Sequence, residues 1–176
     1  MHELTKSDPD VEVIWRAFEL RPEPVPMIDP KSEYLRRAWR DSVAPLAERL
    51  GVTMRFPPVK PRTRLAHEAA HWARAQGRFE NYHNEIFRAF FERGEDIGDV
   101  DVLIALAHRL SLDSDSMRPA LINHEFAESV LADERDAVRL GVSGVPAFIA
   151  NRKGALSGVQ PVENLRKLIG SVRSAS

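Results

Sequence analysis

Cysteine is absent from all 176 positions. That absence excludes disulfides, thiolate metal sites and any cysteine nucleophile within this chain, and it is silent about the redox state of the surroundings. Long apolar runs are missing as well. No stretch approaches the roughly 18 residues that a membrane span requires, so no membrane partner is expected. The opening Met1-His2-Glu3-Leu4-Thr5-Lys6-Ser7-Asp8 has no apolar signal core, so the chain as given reads as unexported, with the cytoplasm as the default location. Neither sign of charge dominates: 25 Lys plus Arg against 26 Asp plus Glu leave a net charge of −1. A nucleic-acid partner is not expected on that balance, and the basic runs at Arg36-Arg37 and Arg62 to Arg64 read as solvated surface.

What is present suits a folded domain. Apolar residues make up 43% and charged residues 29%, the mixture of a globular chain long enough to bury a core. Residues 11–18 read as a strand covered on both faces, with Val11, Val13 and Trp15 on one side and Ile14 and Phe18 on the other. Pro22, Pro24 and Pro26 follow as an extended linker. Asp29-Pro30 reads as a helix start, with Tyr34, Leu35, Ala38 and Trp39 forming an apolar stripe. Pro45 either kinks that helix or restarts it, and Gly51 ends it. Residues 52–56 read as a short extended piece.

From Thr63 the pattern is helical for about eighty residues. The spacing predicts a helix closed at Gly77 and a second with Phe79, Tyr82, Ile86, Phe87, Phe90 and Phe91, closed at Gly94. A third is capped by Asp99, with Val102, Leu103, Leu106 and Leu110 inward. Met117 and Leu121 mark a fourth, which Pro119 limits to a late restart. A fifth carries Phe126, Val130, Ala137 and Val138 and ends at Gly141. The aromatic stripe reads as core. The period then changes: residues 147–150 form a strand, Asn151-Arg152-Lys153-Gly154 a hairpin turn, and residues 155–157 the return strand. A last helix starts near Pro161, with Leu165, Leu168 and Ile169 inward.

Three stretches carry a family likeness: Val11 to Leu20; Ala66-His67 with His71-Trp72-Ala73 and Gln76-Gly77; and Leu140 through Gly144-Val145-Pro146 to Gln160-Pro161. Together they resemble the DsbA-like thioredoxin-fold oxidoreductases, closest to their FrnE-like branch. The resemblance implies an α/β fold: a thioredoxin-like, incomplete sheet from residues 1–28 and 140–176, with a large all-helical insertion at 29–139. It implies a cis peptide bond at Val145-Pro146, and a docking loop of Ser143, Gly144, Val145 and Pro146 for an extended polypeptide substrate. The family's Cys-x-x-Cys motif, on a strand and helix that precede the segment matching Val11, has no counterpart here. The chain therefore reads either as a truncated record or as a non-catalytic, peptide-binding relative, with no catalytic residue and no cofactor. The missing strand is central in that fold, lying between residues 11–18 and 147–150. Three repairs are expected: direct pairing of the flanking strands, a strand from a second copy in a homodimer that completes the sheet, or a strand from a partner protein.

A second motif points elsewhere. His67-Glu68-Ala69-Ala70-His71 spells H-E-x-x-H, in which two imidazoles one turn apart bind zinc and the glutamate activates water. Arg74 and Gly77 stand where the longer metallopeptidase signature needs glycine and a third histidine. A zinc-dependent hydrolase using His67, Glu68 and His71 is the alternative function. Ser143 and Ser157 lack an elbow motif and a placed acid, and His83, His108 and His124 read as surface or satisfied helix histidines.

Overall fold

The computed structural model describes residues 1–174. The chain divides into two compact units, one formed by Met1–Leu20 and the chain from Leu131 onward, the other by Arg21–Val130. The sequence placed the divisions after residue 28 and before residue 140; in the structure they follow Leu20 and Val130.

The second unit is helical because its apolar residues recur at helical spacing and each helix has a stop. Helix α4 (Arg64–Ala75) carries Ala66, Ala69, Ala70 and Ala73 on its buried side, small residues that admit close neighbours. It packs against α5 (Phe79–Phe87) and α7 (Ser114–Ile122), and α6 (Val100–Arg109) packs against both of these. Gly77, with a φ of 68°, and Gly94, with a φ of 72°, end α4 and the α5 rod in left-handed backbone, which glycine adopts without penalty. Asp99 caps α6 by accepting from the N–H groups of Asp101 and Val102 at 2.7 and 3.4 Å. The core is Tyr82, Leu103, Leu106, Met117 and Leu121, all almost wholly buried, with Trp72 and Ile86 beside them. The Tyr82 hydroxyl donates to the Leu103 carbonyl at 2.8 Å, and burial raises its pKa far above the ordinary phenol value.

The first unit contains α1 (His2–Ser7), most of α8 (Ala127–Arg139), the antiparallel strands β1 (Ala147–Ala150) and β2 (Gly154–Ser157), and α9 (Val162–Arg173). The register pairs Ala147 with Ser157 and Ala150 with Gly154, across a turn in which Asn151 and Arg152 have φ values of 47° and 58°. Helix α9 covers the hairpin with Leu165 and Val172. Gly154 suits that approach: a Cβ there would lie 2.8 Å from Leu168 Cδ1 and 3.2 Å from Val172 Cγ1, so those side chains would have to move. Asp8 and Arg173 tie α1 to α9 at 2.9 Å, and that guanidinium holds the Asp8 carboxyl below its usual range. Among the described residues no helix is long and apolar enough to cross a membrane.

Several expectations need correction. Residues 11–18 form no strand, and the sheet of the described residues is β1 with β2 alone. The flanking segments therefore do not pair directly. Without a neighbouring strand the segment has no ladder to join, and carboxylates of α8 take the N–H groups of Ala17 and of Glu19 just beyond it instead. Residues 52–56 lie outside any helix or strand, and Arg55 is tethered through its N–H to the Phe91 carbonyl at 2.7 Å. Asp29 does not start a helix, because its carboxylate turns onto the Lys31 N–H at 2.8 Å. Helix α2 (Glu33–Ala38) starts after Ser32, whose Oγ accepts from the Leu35 N–H. Pro45 stands in the first turn of a fresh α-helical segment, so the helix restarts there, as one of the two expected outcomes had it. A π-helical turn, Trp39–Val43, widens the spiral so that Ala44 N–H reaches the Trp39 carbonyl, and α3 (Ala44–Arg49) continues past the proline. Pro119 lies inside α7, which begins five residues earlier at an Asp113 cap. The buried Met117, Ala120 and Leu121 outweigh the one hydrogen bond that proline removes.

Candidate functional site

The loop from 141 to 146 links α8 to β1. Gly141, with a φ of 73°, lets the chain leave the helix, and Val142 donates back to the Ala137 carbonyl at 2.9 Å. Ser143, Val145 and Pro146 are exposed, Val145 by 48%, and Gly144 is half-buried. The Val145-Pro146 peptide is cis, as is Glu23-Pro24.

Backbone direction decides what this loop offers. The Pro146 carbonyl accepts from the Gly158 N–H at 2.8 Å, extending the β1–β2 register by one pair. Successive residues of a strand point their backbone groups to alternate edges. Those of Ala147 and Ile149 therefore point away from β2, along an edge that no strand covers among the described residues, and Val145 lies in the bend just before that edge. Neither the N–H nor the C=O of Val145 has a hydrogen-bond partner among the described residues. The structure thus brings Ser143, Gly144, Val145 and Pro146 together at one end of an open strand edge.

The same unit holds a second feature that the sequence reading missed. Asp133 on α8 is buried, and its two oxygens accept from Arg16 Nη1 and from the Ala17 N–H, each at 2.9 Å. Its neighbour Glu134 accepts from the Glu19 N–H at 3.3 Å. These carboxylates hold residues 16–19 in place of a ladder, while Ile14 of the same segment remains 57% exposed. The signal was there: Asp133 follows Val130 by three residues and precedes Ala137 by four, which puts an acid on the apolar stripe of the helix. Farther along α8, Arg152 and Arg139 hold the Asp136 carboxyl well below the usual carboxylate range.

The H-E-x-x-H motif does lie on a helix, α4, but its glutamate is committed elsewhere. Glu68 is fully buried, and its Oε1 lies 3.0 Å from Nδ1 of His124, just past the C-terminus of α7. A metallopeptidase glutamate must reach a metal-bound water, and a carboxylate sealed into a helical core does not. His67 and His71 are half-buried and each has an interaction of its own. Among the described residues no group of three His, Cys, Asp or Glu side chains could hold a metal. Glu68 Oε2 has no hydrogen-bond partner among the described residues.

Comparison with known proteins identifies the family and the fold. The sequence matches the DSBA-like thioredoxin domain over residues 1–170. The uncharacterized protein YwbO of Bacillus subtilis (strain 168) is 37% identical over 148 residues, which is 80% of this chain and 72% of that protein. The crystal structure of a probable DsbA oxidoreductase, SCO1869 of Streptomyces coelicolor, superposes with a TM-score of 0.82 at 25% identity, covering 99% of this chain and 82% of that one. A sequence match over nearly all the described residues, with a fold match beside it, establishes that the chain belongs to the DsbA-like thioredoxin-domain family.

Proposed function

We propose that this chain is a homologue of the DsbA-family thiol–disulfide oxidoreductases that docks extended polypeptide at residues 143–146 and performs no dithiol exchange of its own. Exchange requires an attacking thiolate, and none of the 176 residues is cysteine. The observation that carries the docking half is the unpartnered N–H and C=O of Val145 beside the uncovered edge of β1. An extended peptide can pair with Val145 and continue along Ala147 and Ile149 as an added strand. The same uncovered edge suits a strand from a partner protein or from a second copy of this chain. Within the family we place the chain in the FrnE-like branch, on the stretch from Gly141 through Val145-Pro146 to Gln160-Pro161.

The test combines two assays on the intact chain. Fluorescein-labelled, carboxymethylated insulin B chain should bind, and Val145→Pro, which deletes the N–H that would pair, should weaken that binding about tenfold or more. Disulfide reduction of insulin by glutathione should run at the rate of a protein-free control. Acceleration of that reduction by the cysteine-free chain would refute the non-catalytic half. Unchanged binding by Val145→Pro would refute the docking half.

A further inference from the structure

Charge is unevenly distributed along this chain. Between Lys31 and Arg64 nine cations face three carboxylates, a local net charge of +6 in a chain whose total is −1, so the remainder carries −7. Some of these cations are occupied. Arg40 pairs with Asp41 at 2.8 Å. Arg62 spans the Arg21 and Val25 carbonyls and the Glu23 carboxylate at 2.9, 3.1 and 3.4 Å. Lys31, Arg36, Arg37, Arg49, Arg55 and Lys60 are exposed, and none has an ion-pair partner among the described residues.

Helical geometry groups three of these basic side chains. Arg36 and Arg40 lie one turn apart on the rod formed by α2 and the π turn, and Arg37 adjoins Arg36. Tyr34, 64% exposed, stands one turn before Arg37. The opposite side of the rod carries the half-buried Leu35, Ala38 and Trp39, and Trp39 meets Phe56 edge-on at 5.6 Å between ring centres. The rod therefore rests on its Leu35–Trp39 side and presents Tyr34, Arg36, Arg37 and Arg40 to solvent together with Glu33 and Asp41, of which Asp41 is taken by Arg40, so the cations left for a partner on the rod are Arg36 and Arg37.

We infer that this basic helical face is a docking surface for a short acidic segment of a partner polypeptide. Charge complementarity selects the occupant. Unpaired guanidinium groups recognise carboxylates through directed, paired hydrogen bonds, and Tyr34 adds an amphipathic contact. A long nucleic-acid strand fits less well. Single strands bind on several aromatic platforms, whereas Tyr34 is the one strongly exposed aromatic residue on this rod. The −7 carried by the rest of the chain would also repel a long polyanion. A short peptide feels chiefly the charges within about one Debye length, roughly 8 Å at physiological salt.

The experiment uses the full chain and a fluorescent peptide of alternating glutamate and serine, with a lysine–serine peptide and an oligothymidylate of similar length as comparators. The acidic peptide should bind at about 0.02 M salt and lose at least about tenfold in affinity at about 0.5 M. Arg36→Glu with Arg37→Glu should abolish binding, Arg36→Lys with Arg37→Lys should retain most of it, and Val145→Pro should leave it unchanged. Lys31→Glu, just before the Ser32 cap and outside the helix, should weaken binding in the same direction. The inference is overturned if charge reversal leaves affinity untouched, if the oligothymidylate binds more tightly than the peptide, or if the low-salt signal proves to be self-association of the chain by light scattering.

Discussion

At the scale of single residues, acids in apolar surroundings organise this chain. Asp133 stands on the inward stripe of α8 because its carboxylate has work there: it satisfies the Ala17 N–H and the Arg16 guanidinium. Replacing it with alanine leaves a buried amide without its acceptor, at a cost of about 1–3 kcal/mol. We expect Asp133→Ala to lower the denaturation midpoint and to speed amide exchange at Ala17, read by urea titration and by exchange mass spectrometry. Gly154 is the complementary case, a position where a side chain would press on α9. Gly154→Ala should displace the Leu168 side chain, since the methyl would lie 2.8 Å from Leu168 Cδ1, and a changed melting temperature with shifted Leu168 methyl resonances checks it. Glu68 was read from the sequence as a candidate base and proved to be a buried partner of His124. The motif was legible and its chemistry was not, because sequence spacing fixes which face of a helix a residue occupies but not whether that face meets water.

Among the elements, those with strong local signals were readable. Alternating helical stripes closed by Gly77, Gly94 and Gly141 gave α4, α5 and α8, and the hairpin followed from a short apolar run and a turn. The misreadings arose where an element depends on a partner. Residues 11–18 have the residue types of a strand, but a strand exists only against a neighbour, and Asp133 and Glu134 supply the acceptors instead. Pro119 was read as limiting its helix because the sequence does not show the tertiary packing that carries a helix across a proline. The stacked rings along α5 and its π-helical extension give a pH prediction. His83 lies between Phe79 and Phe87, with ring centres 4.9 Å from each, and burial, then the nearby Arg74, lower its pKa. Above the ordinary histidine value of about 6.5 both folded and unfolded chains keep this imidazole neutral. Below it the unfolded chain takes up the proton first, so stability falls with pH down to the lowered folded value. Urea titrations from about pH 7 to about pH 5 should show that loss, and His83→Leu should reduce it.

Across the whole molecule, burial is unequally shared. The fifteen-residue apolar cluster built on Tyr82, Leu103, Leu106 and Met117 runs from Ala66 to Leu121 and lies wholly within the second unit. A fragment spanning residues 21–130 should therefore retain helical circular dichroism and melt cooperatively. The first unit buries far fewer apolar side chains, Leu4, Ala17, Leu165 and Val172, and its two-stranded sheet leaves one edge of β1 uncovered. The family and the proline loop were legible in the sequence because they are local patterns. The state of that edge was not, since it depends on which backbone groups find partners after folding. The most direct test is residue-resolved amide hydrogen exchange at Val145, Ala147 and Ile149, with and without carboxymethylated insulin B chain. The account predicts rapid exchange at all three in the free chain and slowed exchange at all three in the complex. Slow exchange in the free chain, or rates that the peptide leaves unchanged, would contradict it.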